Sequence, residues 1–285
     1  LPVSDIIMVT NKPYYVLSLL GKGGSSQVFL VYEPQKKCLL AIKCINLDVT
    51  DESINDAYKN EIRLLQKLQH SDRVIKLHDF EFNCEKNCLY VVMEKGDTDL
   101  GSVIRTYARN GQITAEMIKF YWSEMLKTVA VIHKAGIIHS DLKPANFLLV
   151  GGRMKLIDFG ISSSLQTDMT SVIKDVQVGT FNYMSPEAIQ DTTQDYEGRR
   201  QPLFKINVKS DVWSLGCILY NLVYGKTPFQ DIRQPVAKMQ AIVNSSHEIS
   251  FPDIPNKQLI EVMKKCLLRD QKQRLSIEEL LEHSY

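Results

Sequence analysis

The run His139-Ser140-Asp141-Leu142-Lys143-Pro144-Ala145-Asn146 sets an acid, a lysine and an amide close together, and Asp158-Phe159-Gly160 begins twelve residues beyond Asn146. Asp141 is suited to accept a hydrogen bond from an incoming hydroxyl and to take its proton as a bond to phosphorus forms. Lys143, two residues on, would neutralise a terminal phosphate. Asn146 offers a neutral oxygen and Asp158 a charged one, and hard oxygen donors of this kind suit Mg2+. Each residue alone is as well explained by loop capping. All four at this spacing read as a phosphoryl-transfer site that uses ATP with Mg2+.

Two further groups support that chemistry. Gly21-Lys22-Gly23-Gly24-Ser25-Ser26-Gln27-Val28 lies between two expected strands, a context that fits neither a dinucleotide fold nor a Walker loop. Without Cβ atoms, backbone N–H groups there can approach phosphate oxygens, although a simple flexible turn explains the glycines equally well. Lys43 follows Ala41-Ile42 on an apolar strand, where a surface lysine is the ordinary reading. The next helix shifts that balance. Glu61 falls on the apolar stripe of Tyr58, Leu65 and Leu68, where a carboxylate is costly unless paired, and Lys43 is the available partner.

The elements that position these groups divide the chain. Tyr15–Leu20, Gln27–Tyr32, Leu39–Ile45, Val74–Phe80 and Leu89–Glu94 read as strands, and Asp51–Gln69 as a helix capped by Thr50. Beyond residue 98 helices dominate. Thr114–Ala135 carries a stripe of Met117, Tyr121, Met125, Val129 and Ile132, and helices are expected from about Ser210 to Tyr224, from Lys257 to Leu268, and from Ile277. The fold class is therefore α+β and bilobal: a small sheet lobe with one major helix, then a larger, mainly helical lobe. The two share a cleft. One domain over 1–285 is expected, with the first lobe at about 14–94, a hinge at 95–98 and the second lobe at 99–285. Residues 190–209 form the least regular, most polar stretch.

Composition narrows the function classes. Of 285 residues, 44% are hydrophobic and 24% charged, ordinary globular values. A net charge of +1 gives no argument for nucleic-acid or anionic-membrane affinity. No apolar run approaches the ~20 residues needed to span a bilayer. Of the six cysteines only Cys84 and Cys88 are close, and no second pair answers them as a zinc site requires, so they read as two thiols on a hairpin. Starting at Leu1 without a signal-peptide pattern, the chain reads as a fragment of an intracellular protein.

The segment from Asp158 to Glu187 is rich in hydroxyls and is a candidate for ordering by phosphate. It ends Gly179-Thr180-Phe181-Asn182-Tyr183-Met184-Ser185-Pro186-Glu187, where Glu187 needs a buried cation and Arg274 is the natural candidate. Asp211 opens an apolar helix, and an acid there can accept backbone N–H bonds from the 139–146 loop.

These landmarks follow the order of the eukaryotic protein kinases, which the chain resembles from Gly21 to Arg274. The strings Gly23-Gly24-Ser25-Ser26, His139 to Leu148, much of Asp175 to Tyr183, and Tyr224-Gly225-Lys226-Thr227-Pro228-Phe229-Gln230 are similar to the monopolar-spindle, or threonine-tyrosine, kinase family. Ser140, where most kinases carry arginine, belongs to that family's pattern; Ser26 replaces the third glycine of the general one. The resemblance implies a dual-specificity, mainly serine/threonine kinase of the spindle assembly checkpoint that phosphorylates proteins, itself included. It implies homodimerisation, a nuclear and kinetochore location in mitosis with some cytoplasmic protein, and kinetochore partners bound through regions outside this chain. It places Met93 at the back of the adenine pocket, Glu94 and Gly96 at the hinge, and Val28, Ala41 and Leu148 around the base. Asp99 falls at the ribose edge, Thr170 becomes the activation-loop phosphosite, and Thr180 touches the catalytic acid and helps choose the acceptor. Lys95 stands where the vertebrate form has cysteine, and Met169 where it has a second threonine. A nucleotide-binding pseudokinase, a serine/threonine kinase of another mitotic family and a small-molecule kinase are the rival readings. Lys43, Asp141 and Asp158 weigh against the first, and the long segment ending at Glu187 against the last.

Overall fold

The computed structural model describes residues 5–47, 52–111, 113–159, 180–194 and 207–285. They fall into two compact units: residues up to 97 with those from 149 to 159, and residues 98–148 with those from 180 onward.

The first unit is built on a six-stranded antiparallel sheet, in the order β1 (Ile6–Val9), β2 (Lys12–Lys22), β3 (Ser26–Glu33), β4 (Cys38–Asn46), β6 (Cys88–Glu94), β5 (Leu77–Asn83). The sheet curls until its edges meet, where Thr10 Oγ1 and Lys12 Nζ both bond Asp79, at 2.6 and 2.7 Å. Alternation then gives each strand an inner and an outer row. Val9, Tyr14, Val31, Leu40, Ile42, Cys88, Tyr90 and Val92 fill the inside. On the outer face Ile45, Leu89 and Val91 pack against Tyr58 and Ile62 of helix α1 (Glu52–Lys67). Thr50, the expected cap of that helix, lies outside the described residues.

The strands differ in places from those expected. β1 lies ahead of the residue 14 expected as the lobe's start. β5 starts at Leu77 rather than Val74, because Val74 and Ile75 leave the sheet: Val74 bridges Leu156, and the Ile75 N–H bonds the Leu156 carbonyl at 3.0 Å. Leu156 ends β9 (Arg153–Leu156), which follows β8 (Phe147–Val150). The short strand β7 (Thr98–Asp99) closes the hinge segment. Cys84 is an exposed free thiol in the β5–β6 turn and Cys88 a buried one at the start of β6, as expected for a hairpin.

The second unit is helical. α2 (Leu100–Asn110) was not expected. α3 (Ala115–Lys134) was, and Thr114 accepts the Met117 N–H as its cap. Tyr121, Met125, Val129 and Ile132 of its stripe are buried, and Met117 half-buried. α4 (Pro186–Gln194), α5 (Val208–Tyr224), α6 (Pro235–Val243), α7 (Lys257–Cys266) and α8 (Ile277–Glu282) follow. Gly225, at φ 72°, ends α5 in the left-handed conformation that glycine adopts without strain.

α5 is the core helix, and Gly216 sets its distance from α7. A Cβ at Gly216 would lie 2.6 Å from the Cys266 Cβ and 3.1 Å from Leu267 Cδ2. Gly216→Ala is expected to cost about 1–3 kcal/mol through overpacking, read as a lower urea midpoint with an unchanged slope.

Candidate active site

In the first unit, strand register assembles one half of the chemistry. Val28 pairs with Lys43, Lys43 with Val91, and Ala41 with Met93, so these side chains share the sheet's outer face beside α1. Lys43 Nζ bonds Asp158 Oδ1 at 2.5 Å. That corrects the expected pairing: the ammonium's hydrogen-bonded partner is Asp158 rather than Glu61. Glu61 instead accepts the Phe159 backbone N–H. Burial holds the Glu61 carboxyl above its ordinary pKa, with nearby Asp158 adding to the rise and Lys43 opposing it. Burial alone would lower the Lys43 pKa, but Asp158 and Glu61 together outweigh it and raise it, so the lysine is charged.

Phe159, 5% exposed, lines a small cavity with Glu61, Ile62 and Leu65 of α1. Met93 reaches the same cavity. Asp158 sits at φ 57°, an uncommon conformation for a non-glycine residue. Gly160 and Thr170 lie outside the described residues.

The glycine-rich turn is open. A Cβ at Gly21 or Gly24 would meet no atom of the described residues within 4 Å, and the Gly23 N–H bonds the Ser26 carbonyl at 2.8 Å. At the hinge, the Glu94 carboxylate bonds Lys155 Nζ at 2.6 Å and the Lys76 N–H at 2.7 Å, and the Asp97 N–H bonds the Leu149 carbonyl at 2.7 Å. Lys95 is exposed and Gly96 half-buried.

The second unit carries the other half. Asp211, fully buried, accepts the His139 N–H at 3.0 Å and the Ser140 N–H at 2.8 Å, and lies 2.7 Å from His133 Nε2. The expected anchoring of the loop by Asp211 is present. His133 is a partner that sequence reasoning missed, because a lone histidine in a helix's last turn carries no periodic signal. Held this way, Ser140 takes φ 62° and its hydroxyl bonds the His139 carbonyl at 2.7 Å. Asp141 Oδ2 and Lys143 Nζ are 2.9 Å apart, both side chains part-exposed. The Asn146 Oδ1 accepts the Lys143 N–H at 3.0 Å, and the Asn146 N–H returns a bond to the Lys143 carbonyl at 2.9 Å. Asn146 therefore caps the loop, while its amide oxygen keeps a second lone pair.

Leu148 follows the loop in β8, half-buried. Asp99, expected at the ribose edge, caps α2: it accepts the Ser102 N–H at 2.9 Å and the Ser102 hydroxyl at 2.6 Å. Thr180 opens a 3-10 turn over Thr180–Tyr183. Glu187 meets Arg274 in a buried two-point pair at 2.6 and 2.7 Å, as expected.

Ser140→Arg is expected to keep activity within about threefold of the unaltered chain, since only one hydroxyl bond is lost. Equal losses in Ser140→Arg and Asp141→Asn, measured in one transfer assay, would give Ser140 a direct role.

A glycine-rich turn beside a charged lysine, and a loop acid beside a second lysine fixed from a buried helix, are the parts of an ATP-dependent phosphotransferase. The chain belongs to the protein kinase domain family, whose model matches residues 14–285. It is 49% identical over 284 residues to the dual specificity protein kinase Ttk of Danio rerio and 48% identical to the corresponding protein of Mus musculus. It is 41% identical to the serine/threonine-protein kinase mph1 of Schizosaccharomyces pombe. Each match covers 99% of this chain but only 28%, 32% and 44% of those relatives in turn.

Proposed function

We propose that this chain is the catalytic domain of a dual-specificity, mainly serine/threonine kinase of the spindle checkpoint that moves the γ-phosphate of MgATP to protein hydroxyls. The observation that carries this reading is Asp141, held 2.9 Å from Lys143 on a loop fixed by Asp211. Asp141 accepts the proton of the incoming hydroxyl, and Lys143 neutralises the phosphate. Lys43 clamps nucleotide phosphates from the sheet, with Glu61 and Phe159 fixing the local geometry. Val28, Ala41 and Met93 offer apolar surface to the base, and the family pattern adds Leu148 and the hydrogen bonds of the Glu94–Gly96 backbone.

The residues present fit magnesium. Asp158 is 46% exposed, and a carboxylate can serve both Lys43 and a cation. Among the described residues no cluster of three or more histidine, cysteine, aspartate or glutamate side chains could hold a metal alone. By the family pattern, Asp158 and Asn146 would each supply a single oxygen to an ion completed by phosphate and water, as Mg2+ prefers. When bound, that ion would offset the phosphates' charge.

The kinetochore location, the dimer, partners outside this chain and the Thr170 phosphosite are proposed from the resemblance to the monopolar-spindle kinase family. No described helix is long and apolar enough to cross a membrane. Mass spectrometry of the purified chain before and after incubation with MgATP tests the reading. Phosphate on serines and threonines, Thr170 among them, is the expected outcome; an unchanged mass contradicts it.

A further inference from the structure

We propose that Tyr58 is a positioning residue for the nucleotide's phosphates, its hydroxyl tying the tip of the glycine-rich turn to the helix that carries Glu61. The Ser25 Oγ and the Tyr58 hydroxyl oxygen are 3.3 Å apart, a long hydrogen bond. Ser25 is held a second time through its carbonyl, which accepts the Asn46 N–H at 2.9 Å.

The tie matters because it joins the turn to α1, whereas the Gly23 N–H and Ser25 carbonyl bonds hold it only to the sheet. Gly21, Gly23 and Gly24 leave its backbone with wide freedom, and ordering that backbone on a ligand costs entropy. Tyr58 is a rigid post by comparison. It is 8% exposed and packs with Ile45, Ile62, Leu89 and Val91, so its hydroxyl is held in place by the outer-face core. Tyr58 also lines the small cavity shared by Lys43, Glu61, Asp158 and Phe159, and it precedes Glu61 by three residues, on the same face of α1. One side chain thus connects the turn to the lysine and carboxylates. A displacement of α1 that moved Glu61 would move Ser25 with it. The link is neutral, so it is separable from the ion pair beside it.

This inference rests on the reading that residues 21–26 hold phosphates, and the experiment separates the two. KM for ATP, kcat and ADP binding are measured for the unaltered chain, Tyr58→Phe, Ser25→Ala, the double variant and Ser25→Thr. Tyr58→Phe and Ser25→Ala are each expected to raise KM for ATP by about three- to tenfold, with a smaller fall in kcat. The double variant should be no worse than either single one, because both remove one bond. Ser25→Thr keeps a hydroxyl and should recover most of the KM for ATP that Ser25→Ala loses. Tyr58→Phe preserves the ring's packing, so its stability should fall by no more than the loss of one hydrogen bond. An unchanged KM in Tyr58→Phe, or additive effects in the double variant, would overturn the tie alone. An unaltered chain that neither binds ADP nor turns over would overturn the nucleotide-site reading, and the tie with it.

Discussion

Asp141→Asn is expected to lower kcat by about 10²- to 10⁴-fold, the usual contribution of a positioned general base. The amide is isosteric, and the carboxylate's hydrogen-bonded neighbour is the part-exposed Lys143 Nζ at 2.9 Å. Little of the fold depends on that contact, because the loop is fixed elsewhere, by Asp211 bonding the backbone of His139 and Ser140. Stability should therefore stay within about 0.5 kcal/mol, as for other part-exposed substitutions. KM for ATP should change little, since Asp141 serves the acceptor hydroxyl rather than the nucleotide. The split between kcat and KM, with unaltered melting, distinguishes lost chemistry from lost structure. An equal loss in a variant of Asp211 would come with unfolding, because that side chain is wholly buried.

Arg274→Met is expected to destabilise the second unit by about 3–5 kcal/mol, because it strands a buried carboxylate. Arg274 is 1% exposed and Glu187 3% exposed, and the guanidinium meets both carboxylate oxygens. It also bonds the Leu268, Lys209 and Arg269 carbonyls and lies 5.1 Å from the Trp213 ring. Ser210 Oγ adds a bond to Glu187 at 2.8 Å. Burial alone would raise the Glu187 pKa, but Arg274 outweighs it and the pKa falls below its ordinary value of 4.5. With the folded-state pKa below the unfolded one, the unfolded chain takes up the proton first as pH falls. The stabilisation is then complete above about pH 4.5 and is lost as pH drops through the lowered value. Denaturant titrations from pH 7 downward should show a steeper acid loss for the unaltered chain than for Arg274→Met.

Much of this was legible in the residues, for identifiable reasons. The β-branched runs of β3, β4 and β6 mark strands because each is buried on at least one face, and the α3 stripe repeats over about four turns. β1 escaped notice because Ile-Ile-Met-Val shows no alternation in four residues. α2 was hidden by Gly101 and Ser102 in its first turn and by β-branched Val103 and Ile104, all weak helix formers; its capping by Asp99 is visible only in three dimensions. α6 begins at Pro235, which reads as a breaker until its place at a helix start is known. Within the site, the sequence pattern named Lys43, Glu61 and Asp158 but chose Glu61 as the partner of Lys43. The pairing turns on where the chain after β9 runs, and that places Asp158 against Lys43 and the Phe159 N–H against Glu61. The Glu187–Arg274 pair, by contrast, followed from the requirement that a buried acid find a cation.

The most direct test of the account is transfer of labelled γ-phosphate from ATP to a basic protein bearing serine and threonine, run side by side for the unaltered chain, Asp141→Asn and Asp158→Asn. The account predicts Mg2+-dependent label from the unaltered chain and at least about 10²-fold less from either variant. Label at the same level from all three, or from none, would contradict it.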